Sequence, residues 1–255
     1  MTEAILAELD AVEQQRDVRV VYALESGSRC WGFASADSDY DVRFVYARPK
    51  NDYLKLEKVR DTIEWRLDDE LDIVGWDVAK FLRLMRSSNP TAFEWLSSTI
   101  VYREDPCFQL VRDVASACFD PVSHAHHYLG MATREDVRYL SANKASLKRY
   151  LYAVRALLSA RWVIEECSPA PMAFEDLCTA KLDPTLGPLV EDVVAQKRLG
   201  SEVDMCGHIQ ELDRWIANAI AFVEERLASM ESRERIPWSV LNNVFVELLD
   251  GASGI

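Results

Sequence analysis

Val18-Arg19-Val20-Val21-Tyr22-Ala23-Leu24-Glu25-Ser26-Gly27-Ser28-Arg29-Cys30-Trp31-Gly32-Phe33-Ala34-Ser35-Ala36-Asp37-Ser38-Asp39-Tyr40-Asp41-Val42-Arg43-Phe44-Val45-Tyr46 decides the fold. Val18 to Leu24 is apolar and β-branched and stops at Ser26-Gly27, which reads as a strand followed by a tight turn. Gly27 is free to take backbone angles closed to other residues and admits a close neighbour. A short helix then begins at Ser28, whose unpaired N–H groups favour an anion such as a phosphate. Asp39 and Asp41 open a second strand. Strand side chains alternate faces, so these two carboxylates point the same way, with Cα atoms about 6.5 Å apart. Two acids so placed converge on one or two Mg²⁺ ions, which favour a few carboxylates, water and phosphate oxygens. Ser, Asp and Gly are also ordinary turn residues. The combination of phosphate-type turn and diacid is what carries the reading.

A third acid is expected from the next extended segments. Thr62 to Leu67 and Leu71 to Trp76 read as strands around an acidic turn, Asp68-Asp69-Glu70. Asp72 interrupts the apolar run Leu71-Asp72-Ile73-Val74, where an unpaired buried charge is costly unless a cation meets it. Glu64 and Asp77 are alternatives for this third position, although Asp77 is better read as the N-cap of the following helix. That helix, Asp77 to Ser87, carries Val78, Phe81, Leu82 and Met85 on one face. Another starts at Asn89-Pro90, with Asn as cap and Pro in the first turn. Ahead of the decisive stretch, Thr2 to Arg16 places Ile5, Leu6, Leu9 and Val12 on one face of an opening helix capped by Thr2. After Arg103-Glu104-Asp105-Pro106 the chain reads as helical throughout, including long helices over Glu202–Met230 and Pro237–Leu249. The frame predicted is α+β. A small mixed-sheet catalytic domain with flanking helices spans 1–105, and an all-helical domain spans 106–255 and completes a cleft.

Gly27-Ser28-Arg29-Cys30-Trp31-Gly32-Phe33 followed by Ser38-Asp39-Tyr40-Asp41-Val42-Arg43-Phe44 resembles the polymerase-β nucleotidyltransferase superfamily, in particular its RlaP-type branch linked with RNA repair. The resemblance continues through Leu71 to Asp77 and Lys148 to Arg155. It implies transfer of a nucleoside monophosphate, AMP by default, from a triphosphate to an acceptor hydroxyl, with pyrophosphate released. Mg²⁺, or alternatively Mn²⁺, would be held by Asp39, Asp41 and Asp72. The expected nucleotide-binding set is Gly27, Ser28, Arg29, Lys144, Lys148, Tyr152 and Arg155. The acceptor stays open between an RNA end, a protein and a small molecule. A catalytically weak antitoxin-like partner protein and a metal-dependent phosphohydrolase are the alternatives of other classes.

Charge supports a narrow anion site and not a broad one. The chain has 255 residues, 42 acidic against 29 basic, for a net charge of −13. This argues against a wide nucleic-acid surface, which needs a basic face. Yet between Val137 and Ile164 six basic residues (Arg138, Lys144, Lys148, Arg149, Arg155, Arg161) stand with no acid. On a helix from about Ala142 to Glu165, Lys144, Lys148 and Arg155 share one stripe beside Tyr152, positioned to meet a triphosphate. His124, His126 and His127 have the wrong spacing for two ligands one helical turn apart. No apolar run approaches the ~20 residues of a membrane span. Scattered cysteines without a Cys-x-x-Cys pair, and an acidic N-terminus unlike a secretory signal, point to the cytoplasm.

Overall fold

The computed structural model describes residues 1–67, 70–135, 145–199 and 206–251. Five strands, β1 (Arg19–Glu25), β2 (Tyr40–Ala47), β3 (Thr62–Leu67), β4 (Leu71–Asp77) and β5 (Val101–Glu104), form one sheet in the order β3-β4-β2-β1-β5. β2 and β4 run parallel and every other pair is antiparallel, so the sheet is mixed and the fold is α+β. The parallel pair matters most for the site. Its register sets Asp41 directly opposite Asp72.

Each face of the sheet has its own cover. Helix α1 (Thr2–Arg16) lays Ile5, Leu9 and Val12, all fully buried, on Ala23, Val42, Phe44 and Ile73. Each such side chain contributes roughly 1.5–3 kcal/mol relative to exposure. Val21, Leu24 and Val45 face the larger cluster, where α3 (Val78–Arg86) and α4 (Pro90–Leu96) supply Phe81, Met85 and Trp95. Asp77 ends β4 and caps α3 by accepting from Ala79 N at 2.8 Å; Asn89 caps α4 in the same way through Thr91 N.

The described remainder is helical: α5 (Gln109–Cys118), α6 (Pro121–Glu135), α7 (Leu147–Glu166), α8 (Phe174–Lys181), α9 (Gly187–Leu199), α10 (Gln210–Ala228) and α11 (Trp238–Gly251). Helix α7 is central, buried along most of its length against α6, α8, α9 and α10. Helix α11 returns to the sheet-bearing half. Its Phe245 meets Tyr53 edge-on at 5.0 Å, and Arg19 Nη1 donates to the Gly251 carbonyl at 2.9 Å. No described helix is long and apolar enough to cross a membrane.

Several sequence expectations need correction. Thr2 lies inside α1 and Met1 is the N-cap, without a side-chain cap bond. The segment read as a break at Arg103 includes the end of β5, an edge strand of four residues hydrogen-bonded to β1. So short a strand shows no alternation to read. The basic helix begins at Leu147, with Ser146 Oγ capping Arg149 N, and not near Ala142. The penultimate long helix begins at Gln210 and not at Glu202; residues 200–205, like 136–144, lie outside the described residues.

Candidate active site

The acid trio is assembled by three pieces of local structure. After β1 the chain turns at Gly27, with φ +62°, into the one-turn helix α2 (Gly27–Trp31). Ser28 is buried on that turn. A Cβ on Gly27 would stand 1.8 Å from Asp41 Oδ2. Only glycine fits, because its missing side chain is the space into which the Asp41 carboxylate points. The loop from α2 to β2 then presents Asp39, and β2 and β4 present Asp41 and Asp72 side by side. Carboxylate oxygens from Asp39, Asp41 and Asp72 all lie within 4.8 Å of one another. Glu64 on β3 is not part of this cluster, and Asp77 is occupied as a cap and as the acceptor for Tyr53 Oη at 3.1 Å.

Asp39 is held through its backbone. Arg29 donates from Nε to the Asp39 carbonyl (3.1 Å) and from Nη2 to the Ser38 carbonyl (2.6 Å), with its guanidinium 3.7 Å from the centre of the Tyr40 ring. Arg29, expected at the nucleotide, thus braces the acid-bearing loop. The same loop is gripped from the helical half: buried Lys197 on α9 donates to Ser35 Oγ and Ser38 Oγ, each at 3.0 Å. Behind Asp41, buried Glu25 accepts from Asp41 N at 3.0 Å and from Tyr102 Oη at 2.6 Å.

Electrostatically the trio is crowded. Burial pushes the Asp41 carboxyl up to about 6; Arg43 opposes this, Asp39 and Asp72 add to it, and Lys148 opposes it weakly. Arg43 Nη2 bridges Asp41 Oδ1 (2.8 Å) and Asp72 Oδ2 (2.7 Å). Asp72 Oδ1 is buried without a hydrogen-bond partner among the described residues. An orphaned carboxylate oxygen in a cluster of three acids fits a hard divalent cation, which takes oxygen ligands and supplies the missing charge.

The other expected nucleotide residues divide. Lys148 lies 5.7 Å from the Tyr152 ring centre, and its charge is felt at Asp41. Tyr152 packs edge-on against Trp31 at 5.3 Å, linking α7 to the end of α2. Arg155, also expected at the nucleotide, is engaged inside the protein. It is 3% exposed, ion-paired with Glu94 Oε1 at 2.9 Å, and its guanidinium lies 4.1 Å from the Trp31 ring centre. The acids missing from the basic stretch come from elsewhere in the fold, since Arg149 likewise pairs with Glu135. Lys144 lies outside the described residues. His124, on α6, is a buried core histidine bonded to Ser88 Oγ at 3.1 Å; burial lowers its pKa to about 3.

Two cavities flank Trp31. One, about 610 Å³, is lined by Trp31, Phe33, Phe174, Glu191 and Arg198 among others. The second, about 120 Å³, is lined by Trp31, Arg134, Tyr152 and Arg155 among others. None of the three acids lines either one. The larger has the size of a small-molecule site, but the carboxylate chemistry lies outside it.

Sequence reasoning missed Arg43, Glu25, Glu94 and Lys197. For Arg43 the signal was present, since a residue two beyond Asp41 on a strand shares its face. For the other three, sequence separations of 16, 61 and 159–162 residues from their partners hide the contact.

The class is that of nucleotidyltransferase-like proteins, and the chain belongs to the RlaP family, the RNA repair pathway DNA polymerase beta family, which it matches over residues 1–247. It is 36% identical over 252 residues to uncharacterized protein YcgL of Bacillus subtilis (strain 168), covering 98% of this chain and 97% of that one. Among solved structures it is similar to a nucleotidyltransferase-like protein from Exiguobacterium sibiricum 255-15, with 14% identity and a TM-score of 0.32, covering 88% of this chain and 74% of that one.

Proposed function

We propose that the protein is a Mg²⁺-dependent nucleotidyltransferase of the cytoplasm that moves AMP from ATP to an acceptor hydroxyl and releases pyrophosphate. The convergence of Asp39, Asp41 and Asp72 within 4.8 Å beside the Gly27 turn carries this reading. When bound, divalent ions would neutralise phosphate charge and lower the pKa of the acceptor hydroxyl. In the chain itself, Asp39, Asp41 and Asp72 would hold the ions. Where the second ion is weakly held, Asp72 would instead take the hydroxyl proton as general base. Gly27 keeps the turn close to the acids, and Ser28 with Lys148 receives the leaving pyrophosphate. Tyr152 seats α7 against Trp31, so that Lys148 is held on the trio's side. RNA ends are the first acceptors to test, given the family's description; proteins and small hydroxyl compounds come next.

Incubation with α-labelled ATP, Mg²⁺ and each acceptor class decides the matter. Label transferred to an acceptor, and absent with Asp41→Asn, is the expected result. Free labelled nucleotide without transfer makes the protein a phosphohydrolase, and no turnover with any acceptor removes the enzymatic reading.

A further inference from the structure

Arg43 bridges two of the three acids, Asp41 and Asp72, and is locked there. One guanidinium nitrogen serves both Asp41 Oδ1 and Asp72 Oδ2, while the other donates to the Asp72 carbonyl at 2.8 Å and the Val42 carbonyl at 3.1 Å. The side chain is 18% exposed. The β2 alternation puts Arg43 on the Asp41 face, and the parallel register puts Asp72 across from Asp41. Each of these two carboxylates therefore has one oxygen committed to the guanidinium. The remaining pair are Asp41 Oδ2, against Gly27, and the orphaned Asp72 Oδ1.

We infer that Arg43 is a resident counter-ion: it holds Asp41 and Asp72 together in the ion-free protein and sets how tightly the trio takes a bare divalent cation. This rests on the metal-dependent reading of the site. Two ionised carboxylates on adjacent strands repel each other, and a guanidinium whose one nitrogen bridges both offsets that repulsion. The same positive charge acts on any cation sharing those carboxylates. With an effective dielectric near 20, a unit charge bonded to the same carboxylates would oppose the binding of a divalent ion. Three carboxylates and one guanidinium leave a charge of −2, matched by one divalent ion, and Lys148 reduces the field at Asp41 further. A residue that merely braced the strands would stabilise the fold and the bound ion alike. A counter-ion stabilises the ion-free fold and opposes the ion. Arg43 is thus a positioning residue with an opposite sign for the two.

The test is Mn²⁺ binding to wild type, Arg43→Gln and Arg43→Lys by calorimetry, with thermal midpoints in EDTA and in Mn²⁺. Arg43→Gln is expected to melt lower in EDTA, to bind Mn²⁺ at least about tenfold tighter, and to gain more from Mn²⁺ on melting. Arg43→Lys, whose ammonium lacks the planar fork, is expected between the two. A Gln variant that melts lower but binds Mn²⁺ no tighter than wild type overturns the inference while leaving the metal site standing. If the Gln variant does not fold, Arg43→Met, which is also neutral, decides: tighter Mn²⁺ binding than wild type supports the counter-ion, and equal or weaker binding overturns it. Folded wild type and Gln variant that both bind no Mn²⁺ would overturn the metal-dependent reading and this inference together.

Discussion

Gly27 and Gly32 form a matched pair of substitutions that isolates the packing of Asp41 from backbone strain. Both glycines have positive φ, +62° and +90°. An alanine at either position therefore meets the left-handed penalty, of order 1–2 kcal/mol. For a chain of this size that is a fall of roughly 2–8 °C in thermal midpoint. Only at Gly27 is there a second consequence. A Cβ on Gly32 meets nothing within 4 Å, whereas on Gly27 it would stand 1.8 Å from Asp41 Oδ2 and 2.7 Å from its carboxyl carbon. Contacts under 3.0 Å essentially do not occur, so the carboxylate must retreat by more than about 1 Å. Misplacement on that scale is enough to remove a ligand, and costs about a hundredfold where geometry governs rate. Gly27→Ala is therefore expected to lose Mn²⁺ binding and transfer activity by about a hundredfold or more, with a loss of stability comparable to that of Gly32→Ala. Gly32→Ala is expected to bind Mn²⁺ as wild type does. Calorimetric Mn²⁺ titration of both, beside their melting curves, is the assay. If Gly27→Ala binds Mn²⁺ normally, or Gly32→Ala loses binding equally, the glycine is not there to admit Asp41.

Asp41→Asn removes a ligand charge at nearly constant volume and is expected to abolish label transfer from α-labelled ATP while the circular dichroism spectrum stays that of wild type. Glu94→Gln leaves Arg155 buried without its counter-charge, so a loss of about 3–5 kcal/mol by denaturant unfolding is expected; a change under about 1 kcal/mol would mean the pair is solvated in solution. His124 is buried neutral with a pKa of about 3, well below its unfolded value. Its contribution is complete above pH 6.5 and is lost as pH falls from there towards 3, amounting to about 2 kcal/mol by pH 5. His124→Phe should accordingly flatten the fall in thermal midpoint between pH 7.5 and 5, and an unchanged slope would refute the assignment.

The strand–turn–strand unit was legible because its signals are local. Gly27 marks the turn, the β-branched run marks β1, and the spacing of Asp39 and Asp41 follows from strand geometry alone. The prominence of Asp72 was legible as a charge out of place in an apolar strand; its position opposite Asp41 was not, since register between parallel strands is set by the crossover and not by either sequence. The basic stretch was read incompletely for a related reason. A run without acids reads as open, but its partners sit on α4 and α6, in Glu94 and Glu135. Local composition reports charge, whereas pairing is a tertiary property. That is why the pairing of Arg155 with Glu94 beneath Trp31 could not be read from the sequence.

These long-range contacts also tie the site to helices beyond the sheet. Asp39 is not part of β2 and has no ladder to fix it; Arg29 and Lys197 hold the loop that carries it, one from α2 and one from α9. Helix α9 is in turn fixed by packing on α7, whose seat against the sheet-bearing half includes the Tyr152–Trp31 contact and the Arg155–Glu94 pair. A disturbance at α9 therefore reaches Asp39 through the Ser35–Ser38 loop, while Asp41 and Asp72 stay tied to the β2–β4 ladder and to Arg43. Substituting Lys197 by Met should consequently weaken Mn²⁺ binding while leaving the Gly27→Ala phenotype, which acts through Asp41, still additive with it. Fully non-additive losses would show that the loop and the ladder move as one, and that Asp39 is not independently positioned.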